Sequence, residues 1–207
     1  MAQRRNRPTS NRTPPRRPAA MPPQAVVVEK MAAGGDAIAR LDDGRVVFVD
    51  GALPGETVQV AVHTSKKDFA KAAVLAVLDP SPDRVAAPCP ELVNGCGGCG
   101  WQHVAPAAQL QLKVGIVADA LRRTGKLTDA VVHAGASVGP WAYRTTMRLA
   151  VDGDGRAGLR AAGSHRVVPL RTCMVAHPTL TALLPDLRVT GADEVTLRVS
   201  AATGEAT

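Results

Sequence analysis

Four cysteines constrain this 207-residue chain more than any other feature. Six residues separate Cys89 from Cys96, two separate Cys96 from Cys99, and 73 residues separate Cys99 from Cys173. Thiolates are soft ligands that select zinc or an iron–sulfur cluster. The spacing therefore predicts a metal centre that is closed by a long returning loop and held by all four thiols. This assignment leaves no cysteine in the chain for nucleophilic catalysis.

The identity of the metal is less constrained than its ligands. Structural zinc sites commonly use two Cys-x2–4-Cys pairs, whereas this chain has one such pair and two separate thiols. That difference favours a [4Fe–4S] cluster, with zinc as the alternative. A redox pair without metal is a second alternative for Cys96 and Cys99, and His103 could replace one thiol. The four glycines at positions 95, 97, 98 and 100 would let backbone N–H groups approach the sulfur atoms.

The positive charge is concentrated at the N-terminus. The formal net charge is +7, but residues 1–23 contain six Arg and no acidic residue, which leaves 19 basic against 18 acidic residues further on. We expect residues 1–24 to be a disordered basic tail, either an arm on nucleic-acid phosphates or a solubilising segment. A second cluster of basic residues lies at 140–172, which has six Arg and two Asp.

Residues 25–80 alternate short β-branched runs with turn sequences. Five strands are predicted, at 25–31, 37–41, 45–49, 57–63 and 70–78. Such a run of short strands favours a small barrel of the OB type. Three lysines near Phe69 would give this barrel a basic rim: Lys66, Lys67 and Lys71.

Residues 81–126 contain the cysteine cluster and a predicted helix, and residues 127–207 read as part of an α+β domain. Pro106 suits a first helical turn and Gly125 a terminator, which predicts a helix over 106–126. Its apolar stripe would consist of Leu110, Val114, Val117 and Leu121. Later elements are strands at 143–151, 156–160, 166–170 and 195–200 and a helix at 179–187. The expected fold class is thus mainly β with an α+β second part.

Aromatic side chains are scarce, and apolar runs are short. The chain has only Phe48, Phe69, Trp101, Trp141 and Tyr143, too few to expect a base-stacking surface built on several rings. No apolar run reaches the ~18 residues of a membrane span, and the basic N-terminus lacks the apolar core of a secretory signal. We expect a cytoplasmic monomer without membrane contact, in which thiols stay reduced.

Several motifs together resemble one known family. The pattern Cys89-Pro90, Cys96-Gly97-Gly98-Cys99 and Gln102-His103 resembles the cluster motif of the bacterial RNA uracil-C5 methyltransferases. In that family the motif follows a TRAM domain, a small OB-like RNA-binding barrel, and three stretches here resemble TRAM signatures: 34–40, 47–49 and 53–56. Residues 141–144 with Met147 and Arg148 resemble the strand that opens the family's central domain. Cys173 resembles the fourth cluster ligand. The resemblance runs from about residue 25 to residue 200 in consistent order.

The resemblance implies a function as well as a fold. It implies binding of RNA, in particular ribosomal RNA, and methylation at C5 of a uracil with S-adenosylmethionine as donor. The barrel lysines and the arginines of 140–172 would contact RNA phosphates, and the arginines expected to do so are Arg144, Arg148 and Arg160. The family's Rossmann-like catalytic half has no counterpart in these residues, so the chain resembles an N-terminal part that should be inactive alone. The rival interpretation is a complete, non-catalytic RNA-binding module stabilised by a metal.

Overall fold

A six-stranded curled sheet forms the first unit of the protein. The computed structural model describes residues 21–207, so the predicted basic tail lies outside the described residues except for positions 21–24. The strands are β1 (Gln24–Val27), β2 (Lys30–Met31), β3 (Ala37–Arg40), β4 (Val46–Asp50), β5 (Thr57–Ser65) and β6 (Phe69–Asp79). Their order is β1-β5-β6-β4-β3-β2, with β4 and β6 parallel and the other neighbours antiparallel.

The two edges of this sheet are formed by consecutive strands. The single strand predicted at 25–31 is divided into β1 and β2, because the chain changes its hydrogen-bonding partner between them. Val28 N–H donates to the Glu56 carbonyl (2.9 Å), and Glu29 N–H donates to the Ile38 carbonyl (2.8 Å). The sheet therefore curls until its edges almost meet, which confirms the predicted small OB-like barrel.

The interior of this barrel is built from small side chains. Alternate residues of each strand point inward, and the buried set is dominated by valine and alanine: Val26, Val28, Ala37, Ala39, Val47, Val49, Val58, Val60, Ala70 and Ala72. Short β-branched and methyl side chains fill a narrow, strongly curled interior without large rings. The low aromatic content of the sequence is thus compatible with a well-packed core.

A four-stranded antiparallel sheet forms the second unit. Its strands are β7 (Thr146–Val151), β8 (Ala157–Arg160), β9 (Val167–Pro169) and β10 (Glu194–Arg198), in the order β10-β7-β8-β9. Helix α2 (Pro178–Leu183) is shorter than the predicted helix at 179–187. Met147, Leu149, Leu180 and Leu197 form the centre of the second core, and Cys96 and Cys99 pack against it.

Helix α1 (Pro106–Arg123) follows the cysteine loop and packs on the barrel, but with a different face from the one predicted. None of its residues is buried, and Val117 of the predicted stripe is exposed. Leu112 and Ile116 pack on the barrel core instead, and Asp119 one turn further forms an ion pair with Lys30 of β2 (3.1 Å). The predicted stripe was wrong because the helix has apolar residues on more than one side. Packing against the barrel determined which of these sides is partly covered. No helix in residues 21–207 is both long and apolar enough to cross a membrane.

Candidate metal centre and nucleic-acid interface

The four cysteines line one cavity beside the second core. Cys173 is buried, Cys89, Cys96 and Cys99 are half-buried, and all four are free thiols. Leu159, Leu170 and Met174 form the apolar part of the same cavity. The thiols surround this space without converging on a point, and no group of three or more His, Cys, Asp or Glu side chains in residues 21–207 is arranged to hold a metal ion. The spacing thus brings together the predicted ligand set but not a closed coordination sphere.

Backbone N–H groups surround the sulfur atoms. Gly98 N–H approaches the Cys96 sulfur, and the N–H groups of Val175 and Ala176 approach that of Cys173. Burial nevertheless raises the pKa of the Cys96 and Cys173 thiols, and the neighbouring thiols add to this effect. N–H donors around sulfur stabilise the thiolate form that a metal requires. The four thiols are thus the donor set that a metal or cluster takes, whereas burial favours the protonated form of Cys96 and Cys173 in its absence.

Two glycines allow the cysteine loop to lie directly on the second sheet. Gly97 N–H donates to the Arg160 carbonyl (3.0 Å), and Cys96 forms a bridge with Ala161. A Cβ atom on Gly97 would lie 2.6 Å from the backbone nitrogen of Ala162. Gly97 is thus required for close approach to the backbone of the second sheet, and a Cβ atom on Gly98 would meet the Leu159 side chain. Gly95 instead has a positive φ of 84°, which glycine adopts without strain.

Glu91 connects the two segments that carry the cysteines, and the sequence analysis did not identify it. Glu91 is buried, with only 3% of its surface exposed. Oε1 accepts hydrogen bonds from the backbone N–H groups of Arg171 (3.0 Å) and Thr172 (3.2 Å), and Oε2 accepts one from Asn94 Nδ2 (3.0 Å). Glu91 therefore fixes the segment before Cys173 against the loop of Cys89, Cys96 and Cys99.

Gln102 and His103 have structural positions rather than ligand positions. Gln102 Oε1 accepts a hydrogen bond from Cys89 N–H (3.1 Å). The His103 side chain does not line the thiol cavity, and burial together with the charge of Arg84 lowers its pKa. His103 therefore does not lie with the four thiols around this cavity. Its buried Nε2 has no hydrogen-bond partner in the described part of the chain.

A buried ion pair joins the barrel to the linker that precedes the cysteines. Glu56 is fully buried and accepts hydrogen bonds from Leu53 N–H (2.8 Å), Ser81 N–H (3.2 Å) and both Nε and Nη2 of Arg84. Arg84 Nη2 also donates to the Gly51 carbonyl (2.7 Å). Burial alone would raise the pKa of Glu56, but the hydrogen bonds from Arg84 and the two backbone N–H groups outweigh it and hold this pKa below its usual range.

Trp101 joins the cysteine loop to the barrel from the other side. Its Nε1 donates to the Gly35 carbonyl (3.0 Å), and its ring packs against the barrel core. Gly35 has a φ of 102°, and a Cβ there would lie 2.9 Å from Trp101 Nε1. The barrel, the cysteine loop and the second sheet are consequently held together by specific contacts around residues 84–104.

The predicted barrel lysines cluster at one end of the β5–β6 hairpin. Lys66 and Lys67 form its turn, Lys71 follows on β6, and all three are exposed. Arg45 was not predicted to belong here, but its Nη1 donates to the Lys66 carbonyl (2.7 Å) and to Ser65 Oγ (2.9 Å). The hairpin end is thus both basic and fixed, as a phosphate-binding surface requires.

The three predicted arginines do not form a single group. Arg148 on β7 and Arg160 at the end of β8 both pair with Glu194, with Arg148 Nε 2.9 Å and Arg160 Nη2 3.8 Å from its oxygens. Arg144 is half-buried, and its backbone pairs instead with Val175 and His177. Arg148 and Arg160 therefore present one excess positive charge on the exposed face of the second sheet.

Comparison with known proteins places this architecture in a recognised class. A family model described as the TRAM domain matches residues 24–75, the six-stranded barrel. An uncharacterized RNA methyltransferase of Streptomyces avermitilis is 41% identical over 172 residues, which cover 76% of this chain and 40% of the relative. The 23S rRNA (uracil(1939)-C(5))-methyltransferase RlmD of Methylococcus capsulatus is 39% identical over 170 residues, 80% of this chain and 38% of the relative.

The same architecture occurs in a solved structure. The Pyrococcus abyssi tRNA (uracil-54, C5)-methyltransferase in complex with S-adenosyl-L-homocysteine superposes with a TM-score of 0.54 at 21% identity, over 87% of this chain and 44% of that one. Residues 24–75 thus form a TRAM domain, and the chain is similar in sequence to bacterial RNA methyltransferases, among them RlmD of Methylococcus capsulatus. It spans about two fifths of the length of the curated relatives it matches.

Proposed function

We propose that these 207 residues are the RNA-binding, [4Fe–4S]-holding part of an S-adenosylmethionine-dependent methyltransferase that acts at C5 of a uracil in ribosomal RNA. The observation that carries this proposal is the conjunction of a TRAM barrel with four thiols around one cavity in a homologue of RNA uracil-C5 methyltransferases. All four cysteines are assigned to the cluster. Within these residues the proposed roles are therefore binding and positioning of RNA in the cytoplasm by a monomer, without the covalent step on the base.

The thiols of Cys89, Cys96, Cys99 and Cys173 would hold the cluster. When bound, the cluster would supply a cross-link between two chain segments that are separated by 73 residues. Glu91 already orients these segments through backbone N–H groups of 171–172. A cross-link that closes a long loop removes more entropy from the unfolded chain than a short one does. The cluster would then stabilise the relative positions of barrel and second sheet, and so the surface presented to RNA.

Anaerobic purification tests the cluster directly. We expect a brown protein with broad visible absorption and four iron and four sulfide per chain. The Cys173→Ser substitution should remove most of this absorption, because it deletes the one ligand contributed by the second segment. Ser164→Ala is a matched control on an exposed loop of the same sheet and should retain the spectrum. A colourless wild-type protein with one zinc would overturn the cluster and support a zinc-dependent nucleic-acid adaptor.

The salt dependence of RNA binding tests the basic hairpin. Simultaneous replacement of Lys66, Lys67 and Lys71 by Gln should weaken binding of structured RNA and reduce the slope of log affinity against log salt by about 3, since each phosphate contact contributes about 1. Lys126→Gln, an exposed lysine after α1, is the control and should leave the slope unchanged. An unaltered slope in the triple variant would show that the hairpin does not contact phosphate.

A second candidate function is the non-catalytic RNA-binding module. The observation that favours it is that each of the two units has its own core, with the cysteine loop held to the barrel by the Trp101–Gly35 contact and to the second sheet by the Gly97–Arg160 contact. Both functions predict RNA binding. The two functions differ in whether the protein transfers a methyl group from S-adenosylmethionine to a uracil. The protein purified from its own cells would be assayed with radiolabelled donor. Transfer of the label supports the methyltransferase, and its absence supports the non-catalytic module.

A further inference from the structure

Three of the five aromatic residues line a single open cleft. Trp101, Trp141 and Tyr143 lie around a space of about 640 Å³ between helix α1, the cysteine loop and the segment 136–143. This volume is within the ~300–1,000 Å³ range of ligand pockets. A base-stacking surface was not expected from the sequence, because the aromatic rings are few and far apart along the chain. The fold nevertheless brings three of the five rings to one place.

Two of these rings are more exposed than large aromatic side chains usually are. Trp141 is 38% exposed and Tyr143 is 51% exposed, whereas such rings normally contribute their area to a core. Trp101 is fixed at the other side of the cleft by its hydrogen bond to Gly35. The cleft thus has a rigid aromatic wall and two exposed rings opposite it.

The backbone that carries the exposed rings is constrained. Ala142, between them, has a φ of 58°, a left-handed conformation that disfavours residues with a Cβ atom. Hydrogen bonds hold it there, from Ala142 N–H to the Met174 carbonyl (2.9 Å) and from Arg144 N–H to the Val175 carbonyl (2.8 Å). Strained backbone that persists because its surroundings fix it is typical of binding sites. Trp141 and Tyr143 are therefore presented by a fixed segment.

The residues that line the cleft favour a ligand that carries both negative charge and flat apolar groups. Its lining contains no acidic residue, and its one charged side chain is Lys113 of α1, which is exposed and makes no ion pair within residues 21–207. Gln109 on the same helix donates to the carbonyls of Trp101 and Val104 (3.1 Å each) and fixes this wall. Aromatic faces beside an unpaired lysine form the combination that binds single-stranded nucleic acid by stacking.

We propose that this cleft binds an unpaired nucleobase of single-stranded RNA, with the base stacked on Trp141 or Tyr143 and Lys113 directed toward the adjoining phosphate. The inference rests on the proposed function, because it assumes that the protein binds RNA. It adds a site for an extruded base to the phosphate-binding hairpin. It also predicts that a part of the RNA bound by this protein is unstacked.

The test compares an RNA that has bases with one that lacks them. Binding of fluorescein-labelled octauridylate to the anaerobically purified 207-residue chain would be followed by anisotropy, beside a labelled strand of equal length in which the central four positions are abasic. Trp141→Ala should weaken octauridylate binding about 5- to 150-fold, the range for loss of one base–aromatic stack. It should leave the salt slope unchanged, since no phosphate contact is lost.

Matched variants separate stacking from folding. Trp141→Phe keeps a ring and should retain most of the affinity, while Val131→Ala, which removes a 76%-exposed apolar side chain outside the cleft, should have no effect. Circular dichroism would show that each variant is folded. The inference is overturned if Trp141→Ala changes affinity less than twofold, or if the abasic strand binds as tightly as octauridylate. Salt-dependent binding of both strands with equal affinity would remove this inference but leave the proposed function, whereas failure to bind either strand and structured RNA as well would remove both.

Discussion

Replacement of Glu91 by alanine should release the Cys173 segment from the cysteine loop and lower the stability of the second unit by about 3–5 kcal/mol. The substitution leaves the partly buried N–H groups of Arg171 and Thr172 without an acceptor, and hydrogen bonds to a charged group contribute about 1.5–3 kcal/mol each. Urea denaturation followed by circular dichroism measures the loss. Iron and sulfide content of the anaerobically purified variant should fall below half of the wild-type value, because one ligand is no longer positioned.

Two further variants isolate the role of the carboxylate. Glu91→Gln retains an oxygen that can accept from the N–H groups of 171 and 172, so it should keep most of the stability and most of the iron. Asn94→Ala removes only the third hydrogen bond of Glu91 and should cost about 1 kcal/mol. Equal stability of Glu91→Ala and wild type would show that this carboxylate does not connect the two segments.

Replacement of Glu56 by alanine should destabilise the barrel by about 3–5 kcal/mol, the usual cost of removing one partner of a buried ion pair. It leaves Arg84 unpaired and the N–H groups of Leu53 and Ser81 without an acceptor. The matched control is Glu29→Ala, which breaks an exposed pair with Arg40 (3.4 Å) in the same domain and should cost less than about 1 kcal/mol. Replacement of both residues, by Glu56→Leu with Arg84→Met, should lower the free energy of unfolding by less than the sum of the two single replacements.

The same carboxylate gives the barrel a defined pH dependence. The pKa of Glu56 is lower in the folded protein than its usual value of 4.5, so the unfolded chain binds the proton more readily. The contribution of Glu56 to stability is complete above pH 4.5 and is lost as the pH falls through the lowered folded-state pKa. Urea titrations between neutral pH and pH 3 should show a steeper loss of stability in the wild type than in Glu56→Gln. Parallel curves would contradict the assignment.

The sequence predicted the local features of this protein better than the contacts between its elements. Turn residues and alternating valines indicated five strands of the barrel, and the cysteine spacing indicated a shared site. Both signals are local or depend on residue type. The face of α1 that packs on the barrel was predicted wrongly. Leu112 and Ile116 are as apolar as the residues of the predicted stripe, and only their contacts with the barrel core distinguish them.

The missed residues share one physical reason. The sequence analysis assigned no role to the side chains of Glu56 and Glu91, and acidic residues are rarely buried unless they are paired. Apart from Leu53 and Asn94, which are three positions away, their hydrogen-bond partners are backbone N–H groups and one arginine that lie 25 to 81 positions away. No local pattern signals such partners. The meeting of Trp101 with Trp141 and Tyr143 likewise depends on how the cysteine loop lies between the two units.

The order in which the thiols appear along the chain has a consequence during synthesis. Cys89, Cys96 and Cys99 leave the ribosome before Cys173, and the backbone acceptors and donors that enclose them come from 160–176. At ~5–20 residues per second, the last thiol follows Cys99 by roughly 4–15 s. During that interval the nascent chain exposes three thiols on a glycine-rich loop, where an oxidant can reach them before the second sheet covers them.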